Sequence, residues 1–245
     1  MKNQLIKSFD LEIFKELPGE AIQNWKAYTP LGITLCGFGQ DFNVTPIFNA
    51  KPQQKMEVHE LDEIVDSMLS MQQDGVKFVT WNGTSFDFQV LAIETGRYSD
   101  CANLARNHCD MMLIAVWGKG WMVGLDRALR AHKLPEKLKT VRLNDGSTFE
   151  AMDGGHVPRL WAAGEISACT EYFKQDLQCE FMLARTIEEN KKLLFFNRAG
   201  DMKHIINVPA LFTVEEIMNG AMGQFPDTSW QTNPIRPEQF TDWMP

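Results

Sequence analysis

The stretch KSFDLEIF, Lys7 to Phe14, sets two carboxylates, Asp10 and Glu12, into an apolar run of Phe9, Leu11, Ile13 and Phe14. A short apolar run of this kind reads as a buried strand. Residues i and i+2 of a strand point to the same face, so Asp10 and Glu12 project side by side. Like charges this close disfavour one another, and desolvation disfavours both. The arrangement asks for a cation.

The rest of the chain reads outward from that strand. LGITLCGFG, 31–39, alternates apolar Leu31, Ile33 and Leu35 with small or polar neighbours and predicts a second strand. VTPIFN, 44–49, predicts a third, and Pro46 places it near a sheet edge. Over 57–73, Leu61, Ile64, Val65, Met68 and Leu69 share one helical face, and Gly75 ends the helix. VKFVTW, 76–81, is a more continuously apolar strand, as at the buried centre of a mixed sheet. Helices follow at about 85–95, closed by Gly96, and at 99–106. HCDMMLIAVWG, 108–118, predicts a short strand running into a helix. Residues 124–134 read as helix, 140–160 as a long loop or hairpin, and about 165–193 as one strong helix. From residue 196 a capping-box pattern, Thr213 with Glu216, marks one helix among irregular chain. Strands first, then helices alternating with further strands, give an α/β fold with a mixed sheet.

Composition narrows the function classes. The chain has 245 residues, room for one large domain or a domain with an appendage. With 24 basic against 32 acidic side chains the net charge is −8, which argues against coating duplex nucleic acid over the whole surface. A local charge supplied by metal is still compatible with a nucleic-acid enzyme. No apolar run approaches the roughly 18 residues of a membrane span, and the N-terminus lacks a signal-peptide pattern. Cys36, Cys101, Cys109, Cys169 and Cys179 are dispersed and odd in number, the pattern of reduced core thiols in a cytoplasmic protein. The five histidines show no zinc-ligand spacing.

Two further acidic positions stand out. In WNGTSFDFQVL, 81–91, Asn82-Gly83 is a sharp turn, and Thr84 or Ser85 can cap the next helix. Asp87 then lies in that helix's first turn, beside the carboxyl end of a central strand, where the helix dipole alone would favour it. In EYFKQDLQ, 171–178, Tyr172 and Asp176 are four apart and share a helical face, with Ile166, Cys169, Phe173, Leu177, Phe181 and Leu183 as apolar surface.

Taken in order, FDLE, NGTSFD and YFKQD resemble the three motifs of the DEDD superfamily of 3′-to-5′ exonucleases, and the tyrosine resembles its DEDDy branch. GLDRALRAHKL resembles the helix between the second and third motifs. The resemblance covers residues 5 to about 190 and is nearest to stand-alone exonucleases related to family B DNA polymerase proofreading domains. It implies a ribonuclease-H-like five-stranded mixed sheet flanked by helices over 1–195, with a C-terminal extension, 196–245, packing on it. It also implies a two-ion Mg²⁺ or Mn²⁺ site, since carboxylates are hard oxygen donors. By analogy Asp10 touches both ions, Glu12 and Asp176 complete the nucleophile-side ion, Asp87 supports the other, and Tyr172 orients the attacking water. The implied substrate is the 3′ end of a single strand, DNA before RNA, cut to nucleoside monophosphates.

Leu11, Asn82, Phe86 and Phe88 are candidate contacts to that strand. The basic residues Arg127, Arg130, Lys133, Lys137, Lys139 and Arg142, set against a single Glu136, could hold its phosphates. VPRLWAAGE, 157–165, is a candidate cover for the site. The alternatives are a non-catalytic nucleic-acid-binding or polymerase-accessory module of the same fold, and an RNA-directed enzyme reading 2′-hydroxyls. Proofreading would require a polymerase or repair partner.

Overall fold

The computed structural model describes residues 5–19, 21–40 and 43–245. Strand β1 is Ile6–Ile13, and a 3₁₀ segment, Ala21–Tyr28, leads to β2, Ile33–Gln40, and β3, Asn43–Asn49. Helix α1, Val58–Gln73, precedes β4, Lys77–Thr80. Helices α2, Asp87–Thr95, and α3, Tyr98–Arg106, lead to the short β5, Cys109–Asp110, which runs directly into α4, Met111–Lys119. Then come α5, Leu125–His132, the hairpin β6, Thr140–Arg142, with β7, Thr148–Glu150, and α6, Val157–Ala162. The long helix α7 is Ile166–Asn190. The hairpin β8, Lys192–Phe196, with β9, Lys203–Asn207, helix α8, Val214–Met218, and a 3₁₀ segment, Pro237–Phe240, follow.

The five-stranded sheet has the order β3-β2-β1-β4-β5. β1 pairs antiparallel with β2 and parallel with β4, and β4 pairs parallel with β5. This is a mixed, ribonuclease-H-like sheet flanked by helices. β3 lies at an edge, as Pro46 requires. β4 lies inside, and Phe78, Val79 and Thr80 are wholly buried.

The alternation in β1 divides its side chains between two layers. Phe9 stacks with Phe38 of β2 and Phe88 of α2, at ring separations of 5.9 and 5.1 Å. Phe78 joins this aromatic face through Phe38, and α1 adds Leu61, Ile64, Val65 and Met68 to the same core. On the other face the Ser8 hydroxyl donates to the Leu177 carbonyl of α7 at 2.7 Å. Asp10 and Glu12 share that face with Ser8, by strand alternation. They therefore project toward α7 and not into the aromatic core.

Gly39, opposite Ser8, lets α7 come this close. A β-carbon there would stand 2.9 Å from the Leu177 carbonyl oxygen and would strike the Ser8 hydroxyl. The β1–β4 register sets the level of the site. Ser8 pairs with Val79, and β4 stops at Thr80, so the chain turns away level with Asp10.

A second core joins α4, α5, the later turns of α7, β8 and the tail. It buries Leu129, Leu183, Ile187, Leu193, Phe195, Val214, Ile217 and Phe240. The hairpin β8–β9 was not expected, and residue 195, the expected boundary, falls inside it: Phe195 pairs with His204 and Phe196 with Lys203. The apolar and aromatic character of KLLFF is visible in the sequence, but it follows a 25-residue helix whose periodicity masks the change. Among the described residues, no helix is long and apolar enough to cross a membrane.

Gly39→Val should lift α7 from the sheet and destabilise the fold by about 1–3 kcal/mol, the usual range for overpacking. Urea unfolding measures this. An unchanged midpoint would mean that α7 is not held at this contact.

Candidate metal centre

Three separate segments meet beyond the carboxyl end of β4. β1 supplies Asp10, half-buried, and Glu12, buried. α7 supplies Asp176, and one turn earlier Tyr172; both are buried. One oxygen from each of Asp10, Glu12 and Asp176 lies within 4.8 Å of the others. Asp87, at the first position of α2, is 4% exposed. The Leu11 N–H ties it to Asp10, donating to Asp10 Oδ1 at 2.9 Å and to Asp87 Oδ1 at 3.3 Å. Asp87 thus stands beside Asp10 but outside the three-carboxylate group.

The turn that carries Asp87 is pinned from several directions. Asn82 sits at φ 79°, the left-handed region that asparagine tolerates. Gly83 donates its N–H to Thr80 Oγ1 at 3.0 Å, and a β-carbon there would be 2.5 Å from that same oxygen. Asp110, fully buried, accepts from Asn82 N and Thr84 N at 3.0 Å each, and from Met112 N and Leu113 N at 3.0 and 3.1 Å. It thereby caps α4 and holds the turn at once. Trp81 donates its indole N–H to Val123 O at 2.9 Å, and Trp243 of the tail donates its own to Thr84 O at 2.9 Å.

This differs from the sequence expectation in one respect. Neither Thr84 nor Ser85 caps α2: the cap position is Phe86, with no side-chain hydrogen bond. The Ser85 hydroxyl bonds instead to the Asn82 side chain.

The candidate strand contacts separate by burial. Leu11 is 3% exposed and Phe88 is fully buried, so neither presents a face to a strand. Phe86 is half-buried and packs edge-on against Trp25, with ring centres 5.2 Å apart. Asn82 is half-buried, with its side chain engaged by Ser85. The segment ahead of α6 abuts the cluster through Gly154, where a β-carbon would stand 3.5 Å from Glu12 Oε2 and 4.0 Å from the Tyr172 hydroxyl. α6 itself is anchored elsewhere, by Trp161 donating to Gln54 O at 2.8 Å.

Two residues take places at the acidic site that the sequence reading did not give them: Lys137, expected there only as a phosphate contact, and Glu180, not singled out. Lys137 belongs to the basic segment, but its ammonium turns inward, 2.6 Å from Asp176 Oδ2 and 5.1 Å from the centre of the Tyr172 ring. Its neighbours pair elsewhere, Lys139 with Asp126 and Arg130 with Glu136. The second is Glu180, one turn past Asp176 and 4% exposed, whose Oε1 accepts from Trp81 N at 3.1 Å. Its spacing, i+4 from Asp176, was the available signal.

Electrostatics make this cluster costly as it stands. Burial, and then Asp176, push the Asp10 carboxyl from 3.8 up to about 6. Burial first and neighbouring carboxylates second raise Glu12, Asp87 and Glu180 well above the usual range. Burial also raises Asp176, against the opposing charge of Lys137. Burial alone would lower Lys137, but Asp176 outweighs it and holds the ammonium charged. Asp176 Oδ1, Glu180 Oε2 and the Tyr172 hydroxyl are buried with no hydrogen-bond partner among the described residues. Crowded, buried, all-oxygen donors with unused lone pairs fit a hard divalent cation such as Mg²⁺ or Mn²⁺. The absence of sulfur or imidazole from the set disfavours zinc.

A ribonuclease-H-like α/β fold with a buried carboxylate cluster at the carboxyl end of its central strand is what the fold and site define. No family model matches the chain, and no curated protein matches it. Among solved structures it is similar to the family B DNA polymerase from the hyperthermophilic archaeon Pyrobaculum calidifontis. The identity is 13%, the TM-score 0.47, and the match covers 74% of this chain and 24% of the polymerase. It is also similar to exonuclease I in complex with the inhibitor BCBP and to a product-bound exonuclease I. Both show 13% identity and a TM-score of 0.33, covering 78% and 75% of this chain and 42% and 43% of theirs. The chain thus spans less than half the length of each.

The raised carboxyls give the metal-free protein a pH signature. A carboxyl raised on folding holds its proton more tightly in the folded chain, so stability falls as pH rises. For Asp10 the loss begins near its ordinary 3.8 and is complete above about 6; for Glu12, Asp87 and Glu180 it continues higher. In EDTA the melting temperature should therefore fall between about pH 5 and pH 8, and Mn²⁺ should restore much of it at the upper end. A flat profile that Mn²⁺ does not alter would contradict the cluster. Lys137→Met should deepen the fall, by up to about 3 kcal/mol, the low end for breaking a buried pair, because Lys137 is a quarter exposed.

Proposed function

We propose that this chain is a metal-dependent 3′-to-5′ exonuclease of the DEDDy type. It hydrolyses the terminal phosphodiester of a single strand, DNA in preference to RNA, and releases a nucleoside 5′-monophosphate. The observation that carries this is the convergence of Asp10, Glu12 and Asp176 within 4.8 Å from β1 and α7, with Asp87 bound to the same Leu11 N–H as Asp10.

Asp10, Glu12 and Asp176 would hold one divalent ion, and Asp10 with Asp87 a second. When bound, such ions supply a nucleophilic water near neutral pH and offset charge on the departing 3′ oxygen. The water's oxygen bonds to phosphorus, the P–O3′ bond breaks, and the 3′ oxygen leaves as a hydroxyl.

Tyr172 serves as a neutral phenol. Burial, then the charge of Asp176, raise it well above its ordinary value, so it acts through its O–H and not as a base. Its unpaired hydroxyl faces the same Gly154 segment as Glu12, where it can orient the attacking water. Lys137 holds Asp176 in place and opposes the rise that burial imposes on its carboxyl, a positioning role. The Asp110 and Gly83 contacts fix Asp87, so the chemistry rests on a rigid turn. The five cysteines are free and buried, which fits a reducing, cytoplasmic setting.

A 3′-labelled single strand, DNA or RNA, incubated with Mg²⁺ or Mn²⁺ should lose terminal nucleotides, and EDTA should stop the loss. Asp10→Ala and Asp87→Ala should reduce cleavage to background while the fold survives. Tyr172→Phe should lower single-turnover rate about 10²–10³-fold while Mn²⁺ titrates nearly as in the parent. Strand binding without cleavage under any metal would leave a non-catalytic module. Faster loss from RNA than from DNA would reassign the substrate.

A further inference from the structure

Val123, whose carbonyl accepts from the Trp81 indole, lies between α4 and α5. The same turn and the β8–β9 hairpin enclose an open groove of about 650 Å³, lined by Trp121, Met122, Arg127, Asn197, Arg198 and His204. Trp81 also donates its backbone N–H to Glu180, so one residue ties the rim of this groove to the acidic cluster.

The groove combines two features that are each costly without a ligand. Arg127 and Arg198 make no ion pair or side-chain hydrogen bond among the described residues. The nearest acid in sequence, Asp126, is already taken by Lys139 and by Lys137 N. Burial, then Arg198 and Arg130, disfavour the charge on Arg127, so the guanidiniums repel one another. Beside them Trp230 is 69% exposed and Met122 49%. Trp230 meets Trp121 at 79°, with ring centres 6.5 Å apart, an edge-to-face contact that leaves most of the Trp230 indole exposed. Trp121 meets His204 in the same manner, at 5.4 Å.

Unpaired arginines call for phosphate, and an exposed indole calls for flat rings. An acidic peptide would satisfy only the first. On a chain of net charge −8, a polyanion is also repelled from most of the surface, which concentrates binding where the arginines lie.

Resting on the exonuclease reading, we propose that this groove binds the single strand 5′ of the end being cut, its phosphates on Arg127 and Arg198 and its bases on Trp121 and Trp230. The site is sequence-tolerant, since every base offers a ring face. It sets how much strand must lie upstream for tight binding.

The test measures binding in EDTA, where no hydrolysis occurs. The probe is a 5′-labelled oligothymidylate of about a dozen nucleotides, within the range that single-strand binders cover, read by anisotropy across a salt series. Trp230→Ala, at an exposed position, should weaken binding about tenfold or more. Arg127→Gln with Arg198→Gln should reduce the slope of log affinity against log salt by about 0.7 for each phosphate no longer neutralised. Arg198→Gln alone, at an exposed hairpin position, should give half that change, and Lys51→Ala, exposed and outside the groove, should give none of the affinity loss of Trp230→Ala. Unchanged affinity and slope in the groove variants would overturn the proposal. So would an oligoglutamate of equal charge that binds more tightly than the oligonucleotide. If the parent binds through the groove yet cleaves nothing with Mn²⁺, the groove stands and the exonuclease reading falls. If it cleaves while the groove variants bind as the parent does, the reverse holds.

Discussion

Buried carboxylates cannot crowd together without a positive charge to balance them. Asp10, Glu12 and Asp176 bring oxygens within 4.8 Å of each other under α7, with Asp87 and Glu180 close behind. Lys137 is the internal cation nearest to them, and it reaches only Asp176 directly. A single ammonium cannot offset five carboxyls, so several must stay protonated or accept metal. Much of the surrounding structure serves to hold the chain in this unfavourable arrangement. The aromatic face behind β1 and the second core beyond α7 supply the burial that offsets it.

Helix α7 is the element that joins these parts. Its middle, at Leu177, packs on β1 and β2 through Gly39 and Ser8, while its later turns enter the second core. Tyr172, Asp176 and Glu180 follow one another at intervals of four, so all three face the same end of the sheet. A helix of 25 residues anchored at both ends has little freedom to tilt. That rigidity fixes the position of Asp176 relative to β1 more firmly than local contacts alone could.

The fold was legible because its signals are periodic. The alternation of β1, the continuous apolar β4, the Gly96 and Gly75 stops and the Thr213–Glu216 capping box all stand where the sequence places them. The four acidic positions were legible because each follows a local rule of strand, turn or helix. What was not legible depends on tertiary contacts. Lys137 reads as one more surface charge until the segment ahead of β6 is seen to turn inward. Asp110 reads as a strand end until its four backbone donors are seen together. Leu11 and Phe88 flank acidic residues in sequence, but alternation and helix phase send them into the core.

Asp110 has a dynamic consequence as well. One carboxylate accepts from two amides of the Asn82–Thr84 turn and two at the start of α4. Losing any of these bonds would leave part of a buried charge unsolvated, so the four do not break one at a time. Their amide hydrogens should therefore share one opening event and show one common opening free energy in hydrogen exchange. The loop bearing Asp87 is for this reason not a flexible lid over the site. It belongs to the same cooperative unit as α4, and it opens only when that helix does.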